Sequence, residues 1–319
     1  MIRDNSPYVS VIMPAYNGEK YIIEAIESVL QQTFSDFELI IIEDCSDDRT
    51  LQMIESIHDS RICLLENSTN MGISYSTNRG IDCSRGKYIA LLDDDDIAER
   101  KRLEWQVSYM EANPKIDILG GKTTIINEAG EILLKGHTPR YNPQYIKATL
   151  LFKCMDFMNS TTMVRRSFLL NNGLRYRDNC FGIQDLWFFM ESSKVGQIST
   201  IDEYLLRHRE HKENESTRQI NRNGIERAKK YALFQRESLR LSGFNLTNED
   251  YSVINKVLAE FDGCCESLEE WRTFGRVLKK IVDQGDKYKM DFYNELKHVC
   301  RCHLVEQLRG IDVFNDELF

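Results

Sequence analysis

Positive charge is in short supply in this sequence. Lysine and arginine number 41 against 50 aspartates and glutamates, for a net charge of -9. Wrapping nucleic acid needs clustered cations on phosphates, so no nucleic-acid partner is expected. Long apolar runs are missing too, and none approaches the roughly 20 residues that cross a bilayer. Residues 1–8 are polar and run straight into a strand-like segment, with no secretory pattern. The 9 cysteines contain no CxxC pair. Cys264 and Cys265 are adjacent and Cys300 and Cys302 are separated by a single residue, spacings too tight for a zinc knuckle. Reduced, buried thiols in a cytoplasmic protein are the expectation. Neither an internal repeat nor a low-complexity tract occurs. What remains is an ordinary globular composition, 42% hydrophobic and 29% charged over 319 residues. That suffices for one large α/β domain with an appendage, or for two modest domains.

Residues 9–13 form a short apolar run closed by Pro14, which reads as a buried strand. Residues 21–31 place Ile22, Ile26, Val29 and Leu30 on one helical face. Further strands are expected at 37–42, 62–65 and 88–92, with helices at 51–57 and 73–83 between them. Strand–helix alternation of this kind predicts a mostly parallel sheet flanked by helices, with ligands at the carboxyl ends of its strands. Residues 103–110 read as a helix. Residues 123–127 and 131–134 read as a hairpin around Ala129-Gly130. Residues 141–191 mix short helices with one strand near 162–164. Beyond about His211 strand signals nearly vanish, and helices are expected at 225–241, 250–261, 266–284 and 290–309. The polar stretch 211–222 is the best boundary candidate.

Three places carry chemistry. The strand Tyr88-Ile89-Ala90-Leu91-Leu92 ends abruptly in Asp93-Asp94-Asp95-Asp96. Adjacent carboxylates repel one another unless water or a cation screens them. Carboxylate oxygens are natural ligands of Mg²⁺ or Mn²⁺, which usually also hold substrate phosphates. A solvated acidic turn is the bland alternative. Second, Ile40-Ile41-Ile42 runs into Glu43-Asp44-Cys45-Ser46-Asp47-Asp48. Asp44, at the strand end, suits a base or sugar hydroxyl, whereas Asp47 or Ser46 suits capping of the next helix. Third, Asp185 opens the apolar helix Gln184-Asp185-Leu186-Trp187-Phe188-Phe189. It is either an acid favoured by the helix dipole or a carboxylate aimed into a cleft to take a proton. Periodicity does not separate the two.

In order and spacing these segments resemble family 2 glycosyltransferases over about 210 residues. Val9-Ser10-Val11-Ile12-Met13-Pro14-Ala15-Tyr16-Asn17 is similar to that family's opening strand. The helix at 21–30 with Gln31-Gln32-Thr33 is similar to its next element, and Glu43 to Asp48 to its acidic nucleotide-binding turn. Asn70-Met71-Gly72 through Asn78-Arg79-Gly80 matches its third helix. Leu92-Asp93-Asp94-Asp95-Asp96 falls on its DxD metal motif, and Gln184-Asp185-Leu186-Trp187 on the motif that supplies its base. The stretch 206–216, with Arg209-Glu210-His211, resembles the segment that closes the catalytic domain. Departures stand at Cys45, where glycine is usual, at Thr77, where arginine is common, and at Gln184, where glutamate commonly precedes the base.

The resemblance implies a GT-A fold over residues 1–215, with a nucleotide-sugar half to about residue 100 and an acceptor half after it, followed by a helical C-terminal extension over 216–319. It also implies inverting transfer of a hexose from a UDP-sugar with Mn²⁺ or Mg²⁺. Pro14, Ala15, Tyr16, Asn17, Asp44, Asn78, Asp93 and Asp94 are then expected at the nucleotide-sugar, Asp95 and Asp93 at the metal, and Asp185 as general base. His211 is a further candidate metal ligand, or else a surface histidine between Arg209 and Lys212. The acceptor implied is a sugar or lipid-linked sugar in bacterial surface polysaccharide synthesis, such as O-antigen or capsule. Alternatives are an inactive relative that only binds sugar nucleotides, or a nucleotidyltransferase. The latter class opens with a glycine-rich phosphate loop, whereas Ala15-Tyr16-Asn17-Gly18 holds a single glycine. A phosphoacceptor signalling domain would explain Glu43-Asp44 but not the later acids. In the tail, Trp271, Phe274, Leu278 and Ile281 line one helical face, and Arg272, Arg276 and Lys279 another. Such a helix either lies peripherally on the cytoplasmic membrane face or packs within the protein.

Overall fold

The computed structural model describes residues 6–136, 142–152, 157–180, 182–258 and 265–307. The chain divides into two units, one of Met1–Tyr141 with Asp156–Thr217, the other of Asn142–Met155 with Arg218–Phe319.

The first unit is built on a nine-stranded sheet. Strands β1 (Val9–Ala15), β2 (Phe37–Glu43), β3 (Ile62–Glu66) and β4 (Tyr88–Leu91) alternate with helices α1 (Ile22–Leu30), α2 (Thr50–Glu55) and α3 (Ile73–Cys83). These four strands pair in parallel in the order β3-β2-β1-β4. β1, β2 and β4 carry apolar runs because nearly every position is covered on both faces. Helix α1 turns Ile22, Ala25, Ile26 and Val29 inward. Helix α3 comes closest at Gly80. A Cβ there would lie 2.5 Å from Ile12 Cγ2 and 2.9 Å from Ile42 Cδ1. Gly80→Leu is expected to lower unfolding stability by about 1–3 kcal/mol through overpacking, read as an earlier urea midpoint at unchanged slope.

Beyond β4 the sheet is mixed rather than mostly parallel. The short β5 (Ile97–Ala98) and helix α4 (Arg102–Ala112) lead into β6 (Ile118–Ile126) and β7 (Ile132–Lys135), the expected hairpin. After α5 (Pro143–Leu150) come β8 (Met163–Arg165), α6 (Arg166–Asn172), α7 (Gln184–Val195) and β9 (Ile198–Arg209). β8 is antiparallel to both β4 and β6, β9 is parallel to β6, and β5 closes the edge antiparallel to β9. β9 lies where no strand is evident from the sequence. Its register against β6 shifts on both sides of Lys122, so buried and exposed positions do not alternate through it.

The second unit is helical, with α5, α8 (Glu215–Leu241), α9 (Asn248–Leu258), α10 (Leu268–Lys287) and α11 (Tyr293–Glu306). Its core takes Trp271, Phe274, Leu278 and Ile281 from α10 together with Ala148, Leu151, Ile254, Leu296 and Cys300. The apolar face of α10 is therefore engaged inside this unit, and Arg272, Arg276 and Lys279 face outward. Among the described residues no helix is long and apolar enough to cross a membrane. Of the described cysteines only Cys180, Cys265 and Cys300 are buried. Cys45, Cys63, Cys83 and Cys302 are exposed, against the expectation for them. Cys154 and Cys264 lie outside the described residues.

Candidate active site

Parallel pairing brings the carboxyl ends of β1, β2 and β4 to one edge, and the loops that follow them are stitched together. Asp44 N–H donates to Ala15 O at 2.9 Å. Asn17 N–H donates to Ser46 Oγ at 3.0 Å, and Asn17 Oδ1 accepts Asp47 N–H at 2.9 Å. Glu43 turns back to accept the N–H groups of Cys45 and Ser46. Cys45 adopts φ 59°, so the left-handed turn usually made by glycine is kept despite the side chain. The capping expectation shifts by one residue, since Asp48 Oδ1 rather than Asp47 or Ser46 accepts Thr50 N–H, at 2.9 Å. Pro14 and Ala15 form the last two rungs of β1 against β2. Tyr16, 39% exposed, stands clear beside them as an open aromatic face.

Asp44 is 3% exposed and already well coordinated. It accepts Asn67 Nδ2 at 2.6 Å and the N–H groups of Met71 and Gly72, each at 2.8 Å. It thus anchors the loop before α3, and one lone pair is left from the four a carboxylate offers. Asn78 is engaged in a similar way. Its Nδ2 donates to Tyr176 O at 2.7 Å and its Oδ1 accepts Tyr176 N–H at 2.9 Å. Asn78 therefore holds the segment before α7 rather than presenting its amide to an open cleft. Thr77, at the position where arginine is common, is buried and donates to Ile73 O.

The four acids after β4 take four different environments. Asp93 accepts a hydrogen bond from Ser160 Oγ. Asp94 accepts Tyr16 N–H at 3.0 Å, and a Cβ on Gly18 would sit 2.5 Å from Asp94 Oδ2, so only glycine allows this approach. Asp95 Oδ2 accepts Asn214 Nδ2 at 3.1 Å and lies 2.9 Å from His211 Nε2. Asp96 is fully buried; its Oδ1 accepts Arg209 N–H at 3.0 Å and lies 2.9 Å from His208 Nδ1. One oxygen from each of Asp93, Asp95 and Asp96 falls within 4.8 Å of the others.

Burial and the Asp96 and Asp95 charges push the Asp93 carboxyl up to about 7. Burial and Asp95 also raise Asp94 well above the usual carboxylate range. For His208, burial opposes the charged ring, but the Asp96 carboxylate outweighs it and pushes the imidazole up to about 9. Arg102, buried beneath the cluster, is lowered by burial to about 10 and stays charged at neutral pH. Its guanidinium donates to Leu91 O at 2.7 Å. Arg209, 2% exposed, donates to Asp95 O at 3.2 Å and pairs with Glu24 at 2.6 Å. His211 is not a surface histidine. Its side chain is 8% exposed, 5.0 Å from the Tyr21 ring, and its Nδ1 is buried without a partner.

Asp185 sits in the first turn of α7, half-buried, where the helix dipole favours its charge. Helix α7 is tied to the segment that carries Asn159 and Ser160 through Tyr176. The Tyr176 ring stacks on Phe188 with centroids 4.3 Å apart, and its hydroxyl donates to Asn159 Oδ1 at 2.8 Å. Burial and then the charges of Asp185 and Asp93 raise the Tyr176 hydroxyl. Ser160, Asn159, Tyr176, His208 and Asn214 were not legible as site residues, since each is a common residue type that acquires its meaning from a distant partner.

The sequence profile of glycosyl transferase family 2 matches residues 10–172. An uncharacterized glycosyltransferase of Haemophilus influenzae is 34% identical over 316 residues, covering 94% of this chain and 93% of the relative. The chain belongs to glycosyl transferase family 2. A family relative, the Escherichia coli UDP-Glc:alpha-D-GlcNAc-diphosphoundecaprenol beta-1,3-glucosyltransferase WfgD, is 41% identical over 119 residues, 37% of this chain and 47% of that protein. The crystal structure of S. aureus TarS 1-349 in complex with UDP-GlcNAc superimposes with a TM-score of 0.62 at 19% identity, covering 95% of this chain and 90% of that one. This likeness establishes the GT-A fold for the glycosyltransferase.

Proposed function

We propose that this glycosyltransferase moves a hexose from a UDP-sugar to an acceptor hydroxyl with inversion at the anomeric carbon, using Mn²⁺ or Mg²⁺. The observation that carries the reading is the convergence of Asp93, Asp95 and Asp96 within 4.8 Å at the end of β4, with Ser160 bonded to Asp93, its neighbour Asn159 bonded to Tyr176, and Tyr176 stacked on Phe188 of the helix that carries Asp185. The donor set fits a hard divalent cation. It is all carboxylate oxygen, and Asp96 Oδ2 is buried without a partner. Asp95 and Asp93 are the proposed principal ligands, with His211 and Asp96 adjoining. When bound, such a cation neutralises charge on the leaving diphosphate.

The chain's own residues do the remainder. Pro14, Ala15, Tyr16 and Asn17 line the nucleoside side of the edge, and Asp44 fixes the loop that closes it. Asp94, tethered to Tyr16 N–H, links the nucleoside side to the acid cluster. Asp185 takes the proton from the acceptor hydroxyl as that oxygen bonds to the anomeric carbon and the UDP oxygen leaves. The name of the E. coli relative makes a lipid-linked sugar the acceptor class we favour, within bacterial surface polysaccharide synthesis. Contact with the cytoplasmic membrane face would come through that acceptor, because the apolar face of α10 is already buried.

UDP release from a panel of UDP-sugars, with Mn²⁺ and then with excess EDTA, tests the reading. Metal-dependent release from one donor is expected; release that EDTA leaves untouched would remove the metal from it. Asp93 must also lose its proton to bind a cation. Its carboxyl titrates at about 7, so protons compete with the metal below that pH and not above it. Mn²⁺ affinity is expected to fall up to about tenfold per pH unit below 7 and to level off above 8, as measured by isothermal titration from pH 6 to 8.5.

A further inference from the structure

The transferred sugar has to lie between the acids that hold the diphosphate and the base that meets the acceptor. The residues that span this interval are neither of those groups. Ser160 Oγ donates to Asp93 on one side. On the other, the Tyr176 ring stacks on Phe188, one turn along the helix that Asp185 opens. Asn159 sits between them, next to Ser160 in sequence and bonded to Tyr176 at 2.8 Å. Tyr176 is 4% exposed, so the hydroxyl that orients Asn159 is itself immobilised by packing and by the Asn78 amide on its backbone.

The amide oxygen of Asn159 accepts from the buried phenol, and the Nδ2 group of this half-buried residue is the donor that remains. Among the described residues nothing accepts from Nδ2. A planar amide held by a rigid partner is a directional donor. It rewards one oxygen position on a ring and leaves an epimer without that contact.

We propose that Asn159 selects the transferred sugar, its Nδ2 donating to a hydroxyl or acetamido oxygen on the hexose of the nucleotide-sugar. The assignment rests on the transferase reading above. It gives Ser160 a companion role as a positioning residue for Asp93, and makes Tyr176 the support that aims the amide.

The test measures kcat/KM for UDP release from UDP-glucose, UDP-galactose, UDP-N-acetylglucosamine and UDP-N-acetylgalactosamine in Mn²⁺, with Kd for UDP measured alongside. Wild type is compared with Asn159→Ala and with Asn159→Asp, which keeps an acceptor for the Tyr176 hydroxyl and so carries the test should the alanine variant fold poorly. The ratio between the best and second donors is expected to shrink about tenfold or more in both variants, while Kd for UDP moves less than about threefold. An undiminished ratio in variants that still release UDP would overturn the role of Asn159 and leave the transferase reading standing. So would a wild type that does not discriminate among the donors. A wild type that releases UDP from none of them would overturn both.

Discussion

Asp185→Asn is expected to lower turnover by on the order of a hundredfold or more while UDP still binds with near wild-type affinity. The amide is isosteric and can still accept the Leu186 N–H that Asp185 Oδ1 accepts at 2.8 Å, so the first turn of α7 need not change. What disappears is a group able to take a proton. The nucleoside contacts proposed for Pro14 to Asn17 and the acids after β4 lie on other elements and are untouched. The phenol of Tyr176, whose hydroxyl is raised in part by the Asp185 charge, should ionise slightly more easily. Steady-state kinetics with the donor found in the UDP-sugar panel, paired with UDP titration calorimetry, make the measurement. Turnover close to wild type would remove Asp185 from the role of base.

Asp95→Asn should have a different signature. Metal-dependent activity is expected to fall on the order of a thousandfold, since several kcal/mol of charge stabilisation on the leaving group depends on the cation. The metal-free protein should melt no earlier than wild type, and later if repulsion dominates. Asp95 contributes to raising both Asp93 and Asp94, so removing its charge relieves both. The asparagine oxygen can still accept from Asn214 Nδ2, which donates to Asp95 at 3.1 Å. Melting curves of both proteins with and without Mn²⁺ separate the two effects. Mn²⁺ should raise the melting temperature of wild type and leave that of Asp95→Asn nearly unchanged. An equal rise in both would exclude Asp95 as a principal ligand.

Asp185 and Asp95 are both visible in the sequence alone, and the reason is local. An apolar run that ends in acids announces a buried strand and a polar strand end in the same few residues, as in Tyr88 to Asp96 and Ile40 to Asp48. The βαβ alternation of the first four strands was legible for the same reason, because each helix and strand carries its own period. Strand β9 was not. Its pairing with β6 shifts register on both sides of Lys122, which breaks the alternation that marks a half-buried strand. With β9 went the parallel–antiparallel mixture of the sheet and the route by which His208 and Arg209 reach the acids.

Composition and local pattern by themselves determined an acidic α/β protein with carboxylates at its strand ends, and motif order sufficed to place it in family 2. Only the tertiary structure decided what each of those carboxylates faces. Asp96 meets a histidine 112 positions away, Asp95 an asparagine 119 away, and Asn78 the backbone of a tyrosine 98 away. Hydrogen bonding and charge pairing act over a few ångströms of space, and burial strengthens them. Neighbours in sequence, such as Asp93 to Asp96, can therefore end in environments as different as a serine hydroxyl, a backbone amide, an asparagine and a half-buried imidazole.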